Sequence, residues 1–99
     1  MLTEQEAKRV GIRACMDELG YDFCMGHKDN AVSCWGMSNG YLNCYVGVND
    51  QPDNPSKYDI TKIDQFVLDG DDDPDWPFWA TCDVSLEDGS VFNMQSKRP

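Results

Sequence analysis

The sequence predicts an α+β fold, in which one N-terminal helix packs on an antiparallel meander of five to six strands. Three observations support this prediction: a capped amphipathic segment near the N-terminus, an Asn39-Gly40 pair between two alternating apolar runs, and an Asp88-Gly89 pair between two more. Asn-Gly and Asp-Gly pairs in such positions indicate hairpins, because both residues tolerate a positive φ.

The first segment predicts a helix over residues 3–19. Thr3 and Glu6 have the spacing of a capping box, in which each side chain accepts a hydrogen bond from the other residue's amide. Projected at about 100° per residue, the apolar side chains share one face. They are Ala7, Val10, Gly11, Ile12, Ala14, Cys15 and Leu19. Gly20 ends the helix, and its one-sided apolar face requires a second layer.

Residues 21–95 predict that second layer, a sheet with short connections. The expected strands cover 21–28, 31–37, 41–48, 78–86 and 90–95. Residues 57–69 are ambiguous between helix and strand, and the β-rich run at 63–68 favours a strand. No linker divides the chain, so we expect a single domain over residues 1–99.

The charge is strongly acidic, with 18 acidic and 8 basic residues and a net charge of −10. Between Ile63 and Ser96 there are nine acids and no Lys or Arg. Such a field repels nucleic acid and anionic membranes and speeds encounter with a basic partner, although it also serves solubility alone. We therefore expect neither a nucleic-acid nor a membrane partner.

The location expected from the sequence is the cytoplasm. The N-terminal residues lack the pattern of a secretory signal, and no apolar stretch has the length of a transmembrane helix. The five cysteines are odd in number and contain no CxxC pair, which favours a reducing compartment over a disulfide scaffold.

The densest acidic run suggests either a cation loop or a recognition surface. Asp69, Asp71 and Asp73 match the first ligand positions of an EF-hand loop, but Pro74 and Ala80 replace its glycine and its final acid. We therefore predict that the acidic run holds no metal ion. It is expected to form a solvated turn that leads into an aromatic strand. The candidate interface residues are Asp69, Asp71, Asp72, Asp73, Asp75, Trp76 and Trp79. The two tryptophans either cap the core or anchor a protein interface beside the acids.

The cysteines and the single histidine predict packing rather than chemistry. Cys24, Cys34 and Cys44 are ten residues apart, so the meander would place them side by side as small buried hydrophobes. A zinc site with His27 is disfavoured, because that ring would project to the face opposite Cys24. No nucleophile–base, phosphate-binding or metalloprotease motif occurs, so we expect neither an enzyme nor a cofactor.

Two functions compete at this level. The first is a small acidic binding protein, of the kind found among inhibitors, immunity proteins and accessory proteins of mobile cassettes, whose acidic and aromatic C-terminal half docks on a basic protein surface. The alternative is an α+β protein with a ligand-binding or catalytic pocket lined by aromatic rings. The candidate pocket residues are Tyr21, Phe23, Trp35, Tyr41 and Tyr45. Either protein would be a monomer or a homodimer.

Overall fold

The computed structural model describes residues 1–28, 31–49 and 77–99. The elements in chain order are α1 (Glu4–Leu19), α2 (Tyr21–Gly26), β1 (Ala31–Ser38), β2 (Tyr41–Val48), β3 (Phe78–Ser85) and β4 (Val91–Lys97). The strands form one antiparallel sheet in the order β1-β2-β3-β4. The predicted α+β class and N-terminal helix are confirmed, but among the described residues the sheet has four strands rather than five to six. The predicted strand within 57–69 lies outside the described residues.

Helix α1 begins and ends where its capping residues predict. The Thr3 amide donates to Glu6 Oε1 at 2.9 Å, and the Glu6 amide donates to Thr3 Oγ1 at 3.1 Å. Gly20, with φ 105°, follows the last helical residue, Leu19. The predicted apolar face is buried except at Ala14, which is partly buried, and at Val10, which is 36% exposed. Local sequence therefore determines this helix, and packing selects which part of its apolar face is covered.

The core lies between α1 and one face of the sheet. Its strand residues alternate along β2 and β3, and they are Leu42, Cys44, Val46, Val48, Ala80, Cys82 and Val84. Gly11 makes the closest approach of the helix to these strands. A Cβ atom at Gly11 would collide with the Cys44 side chain and would lie 2.9 Å from Val84 Cγ2. The missing side chain is what allows the two layers to meet at this point.

The predicted strand at residues 21–28 is wrong, because this segment begins with the short helix α2. The alternating aromatic positions include a four-residue spacing, and the Phe23 and His27 rings use it to stack with centroids 4.7 Å apart. His27 Nδ1 donates to the Phe23 carbonyl oxygen at 2.9 Å. Cys24 is buried, and its Sγ donates to the Met16 carbonyl oxygen at 3.8 Å. The segment thus packs beside α1 and does not extend the sheet.

The register of the first hairpin separates two cysteines that the spacing predicted to be neighbours. Ser38 pairs with Tyr41 across the two-residue turn, so Cys34 pairs with Tyr45 and not with Cys44. Because a shift of one residue reverses a side chain's face, Cys34 and Cys44 lie on opposite sides of the sheet. The expectation that Cys24, Cys34 and Cys44 lie side by side is therefore wrong.

Candidate protein-binding surface

The sheet face that points away from α1, here called the distal face, carries aromatic and polar side chains. The strand residues that alternate with the core provide them. The aromatic members are Tyr41, Tyr45, Trp79 and Phe92, and the polar members at its centre are Asn43, Thr81, Asp83 and Asn93. This composition is typical of a recognition surface, since Tyr and Trp are the residues that most often dominate protein interfaces.

Asp83 organises the polar centre of the distal face. Its Oδ1 accepts a hydrogen bond from Asn43 Nδ2 at 3.0 Å, and its Oδ2 accepts one from Asn93 Nδ2 at 2.9 Å. Thr81 Oγ1 donates to the Cys44 carbonyl oxygen at 2.9 Å. Side chains of three strands are thereby held in one arrangement, which lowers the entropy that a partner would otherwise have to remove on binding.

A bulge in β4 brings Asn93 to this cluster. Thr81 pairs with Gln95 and Asp83 with Phe92, so β4 has one residue more than β3 between these pairs. Asn93 adopts φ 56°, a left-handed conformation that Asn tolerates better than most residues. The extra residue turns the Asn93 amide toward Asp83.

Aromatic rings lie at both ends of the distal face. Tyr41 and Phe92 meet edge to face with centroids 5.8 Å apart, and Phe92 remains 39% exposed. At the other end, Trp79 is half-buried and lies between Gly47 and Lys97 in the strand register. Phe78 occupies the opposite face, 5.7 Å from the Phe23 ring. Phe78 and Trp79 are consecutive in β3 and therefore point to opposite faces of the sheet, with the Trp79 ring on the distal face.

The acidic part of the sequence is connected at the Trp79 end of the sheet. Val48 and Phe78 are paired in the register, so residues 50–76 leave β2 and rejoin β3 at neighbouring positions. Those residues contain nine aspartates and two lysines, whereas the described residues contain eight acids and six bases. Most of the net negative charge therefore belongs to one connection of the sheet. The candidates Asp69, Asp71, Asp72, Asp73, Asp75 and Trp76 lie outside the described residues.

The five candidate pocket residues are not brought together. Trp35 lies on the α1 side of β1, where the Lys8 ammonium is 4.8 Å from its ring centroid. Tyr21 is 38% exposed and carries the Arg13 guanidinium 4.1 Å from its ring centroid. Phe23 packs on Phe78, and the remaining candidates, Tyr41 and Tyr45, lie on the distal face. These rings therefore do not surround a common cavity.

The buried cysteines form a cluster beneath α1 that spacing did not predict. Cys15 Sγ is 3.6 Å from Cys82 Sγ, and Cys44 is the strand partner of Cys82. Burial raises the pKa of Cys44 to about 12 and that of Cys24 to about 11, so both remain thiols near neutral pH. The prediction that Cys44 packs as a small hydrophobe is confirmed by its complete burial. Within 1–28, 31–49 and 77–99, no three His, Cys, Asp or Glu side chains are placed to hold a metal ion.

Sequence reasoning missed the Asp83 cluster for a definable reason. The alternation in β2 and β3 already assigns Asn43, Thr81 and Asp83 to the face opposite the core. Their meeting depends on strand register, and the contribution of Asn93 depends on a bulge that no local pattern announces. The contact between Cys15 and Cys82 depends on how α1 packs on the sheet, which no local pattern in the sequence determines.

Comparison with protein families, curated proteins and solved structures finds no match to this chain. Neither described helix has the length and apolar composition needed to cross a membrane.

Proposed function

We propose that this protein is a non-enzymatic binding protein that docks on a basic protein surface through the acidic connection at residues 50–76 and the adjacent Trp79. One observation carries the proposal: nine aspartates and two lysines are concentrated in the connection between the paired ends of β2 and β3. The partner is a folded protein with clustered Arg and Lys. Inhibition, immunity or an accessory role on a mobile cassette are the classes of activity that such docking serves.

The charges supply attraction and orientation. A locally negative segment attracts a basic surface over roughly the Debye length of about 8 Å at physiological salt, so it acts mainly on the rate of association. Clustered carboxylates can also take the place of phosphates, which makes a nucleic-acid-binding face of an enzyme a suitable target. The same charges oppose binding to nucleic acid itself.

Trp79 supplies the apolar anchor. Its ring is on the distal face at the end of the sheet where the acidic connection is attached, and it is half-buried. Interfaces combine a central aromatic contact with a charged rim, and Trp is among the residues most often found at that centre. The pocket alternative has no such support, because its five candidate rings are distributed over separate surfaces.

The test is to capture partners on the immobilised protein from a lysate of the native cell at low salt, and to measure their affinity after purification. The informative variant is Asp71→Asn, Asp72→Asn and Asp73→Asn together. We expect its Kd to rise about tenfold, since each exposed charge pair contributes about 0.2–1 kcal/mol. Trp79→Ala, with its melting midpoint as a folding control, tests the anchor separately.

The matched control removes three negative charges elsewhere. Glu4→Gln, Asp22→Asn and Glu87→Gln change exposed acids on α1, on α2 and after β3, and alter the net charge by the same amount. This control should change Kd less than about threefold. An equal loss of affinity in the two triple variants would show that binding depends on net charge and not on the position of the acidic run. A captured partner without a basic surface, or an unchanged Kd in the acidic-run variant, would overturn the proposal.

A further inference from the structure

The cysteine pair beneath α1 has a geometry that packing alone does not require. Cys15 belongs to α1 and Cys82 to β3, and both side chains are buried, with 0% and 1% exposure. Their Sγ atoms are 3.6 Å apart, which is close to van der Waals contact. The two thiols face each other across the layer boundary that Gly11 narrows, and Cys82 Sγ also donates to the Gly11 carbonyl oxygen at 3.6 Å.

The other cysteines make different contacts. Cys24 Sγ donates to the Met16 carbonyl oxygen at 3.8 Å, and Cys34 lies on the distal face of β1. Cys44 is next to Cys82 in the strand register, but Cys15 Sγ approaches its carbonyl oxygen, at 3.9 Å, rather than its sulfur. The Cys15–Cys82 pair is thus the pair with its sulfur atoms in direct contact across two elements.

We propose that Cys15 and Cys82 are a modification site, where a small peroxide oxidises the two thiols to a disulfide that joins α1 to β3. A disulfide requires an S–S separation of about 2.05 Å, so rotation of the two side chains must close the present 3.6 Å gap. The closed loop would contain the residues between positions 15 and 82, including the acidic connection.

The chemistry is balanced with hydrogen peroxide as the oxidant. The Cys82 thiolate attacks one peroxide oxygen, the O–O bond breaks, and the released hydroxide takes a proton to form water. Cys15 then attacks the resulting sulfenic acid, the S–S bond forms, and a second water leaves with the Cys15 proton. Either sulfur can donate in the Cys15–Cys82 contact; with Cys15 as the donor, the hydrogen bond lowers the pKa of Cys82, so Cys82 is taken as the first nucleophile. The same bond, with burial, raises the pKa of Cys15.

The disulfide would fasten the helix to the sheet. Cross-links that close long loops restrict the unfolded chain, so the oxidised protein should melt at a higher temperature than the reduced protein. Cys15 and Cys82 belong to the core, and neither is part of the distal face or of the sequence of the acidic connection. The inference therefore does not depend on the proposed function, and either can fail without the other.

The test uses the variant Cys24→Ala, Cys34→Ala, which retains Cys15, Cys44 and Cys82. Trypsin then places each remaining cysteine on its own peptide, residues 14–28, 29–57 and 63–97. After treatment of the folded, reduced protein with hydrogen peroxide, we expect two of these three thiols to be lost, with a fall in intact mass equal to two hydrogen atoms. The linked peptides should be 14–28 and 63–97, and dithiothreitol should reverse both changes and the rise in melting midpoint.

Further variants distinguish this pair from its neighbour. On the same background, Cys15→Ala should abolish the cross-link and leave at most one thiol lost, as a sulfenic acid on Cys82. Cys44→Ala should preserve the cross-link and the loss of two thiols. If the background variant does not fold, fragmentation of the linked peptides from the peroxide-treated wild-type protein gives the same assignment. In proteins that retain both Cys15 and Cys82, retention of all thiols, a link to Cys44, or oxidation without a cross-link would overturn the inference.

Discussion

Gly11 is the residue at which the spacing between α1 and the sheet is most tightly determined. Its apolar neighbours on the helix were predictable from periodicity, but its own role was not. A glycine within a helix usually lowers helix stability by about 1 kcal/mol relative to alanine. Here the cost is offset by close packing, because an added Cβ would collide with the Cys44 side chain and lie 2.9 Å from Val84 Cγ2.

Gly11→Ala should therefore destabilise the protein by about 2 kcal/mol, despite the better helix propensity of alanine, because the core would be overpacked. Chemical denaturation monitored by circular dichroism measures this difference. Gly26→Ala, where an added Cβ meets nothing within 4 Å, is the matched control. It should be neutral or stabilising by up to about 1 kcal/mol. Equal stability of Gly11→Ala and wild type would contradict the packing assigned to α1.

Asp88 is a second residue whose surroundings have a measurable consequence. Its Oδ1 accepts hydrogen bonds from the Ser90 hydroxyl at 2.7 Å and the Ser90 amide at 2.9 Å. These bonds hold the pKa of Asp88 below its ordinary value of 3.8. A lowered carboxyl pKa stabilises the fold fully above pH 3.8, and this contribution is lost as the pH falls through the lower folded-state pKa.

Ser90→Ala should raise the pKa of Asp88 back toward 3.8, because the hydroxyl is the largest cause of the shift. Carboxyl-carbon NMR titration of both proteins measures the change. The difference should persist at high salt, since a hydrogen bond at contact is screened little. An identical Asp88 titration in the two proteins would exclude the turn geometry described for residues 88–90.

Elements were predictable where local signals and packing agreed. The capping box and Gly20 determine α1, and the Asn39-Gly40 and Asp88-Gly89 pairs locate two hairpins. Residues 21–28 were assigned to the wrong element because positions that alternate every two residues also include a spacing of four. The Phe23–His27 contact uses the spacing of four, and packing on α1 decides in favour of the helix.

The positions of the strands were predictable from the sequence, but their register, which decides the residues that lie opposite each other, was not. Sequence signals place the boundaries of elements, and so the turns between them, only to within roughly 2–4 residues. That precision locates a hairpin but leaves the facing of its side chains undetermined, since one residue exchanges the two faces. The expected pairing of Cys34 with Cys44 is wrong for this reason. The Asp83 cluster is not predictable for a related one, because its contacts depend on which residues of three strands lie opposite each other. The β4 bulge adds a further change of face within a single strand.

The bulge gives a test at this scale. Asn93→Ala removes the hydrogen bond from the Asn93 side-chain amide to Asp83 and places alanine at φ 56°. It should therefore destabilise the protein by about 2 kcal/mol. Asn93→Gly removes the same bond without the backbone cost and should be about 1 kcal/mol less destabilising. Denaturant midpoints give this order. In a regular strand alanine is preferred to glycine, so a less stable Asn93→Gly would contradict the bulge.

At the scale of the whole molecule, the charge is divided unevenly along the chain. The described residues have nearly equal numbers of acids and bases, whereas the connection at residues 50–76 is strongly acidic. The charge excess and its position along the chain were readable from sequence. That the connection joins paired ends of neighbouring strands, beside Trp79, required the register. The sequence cannot determine which partner is bound, because partner identity depends on the complementary surface of another protein.

The association rate constant for the purified basic partner, measured by stopped flow as salt is raised from about 0.05 to 0.5 M, tests the central claim most directly. Electrostatic steering predicts a fall of about tenfold or more, with a smaller change in the dissociation rate. The fall should be reduced in the variant that carries Asp71→Asn, Asp72→Asn and Asp73→Asn. An association rate that does not change with salt would contradict the account.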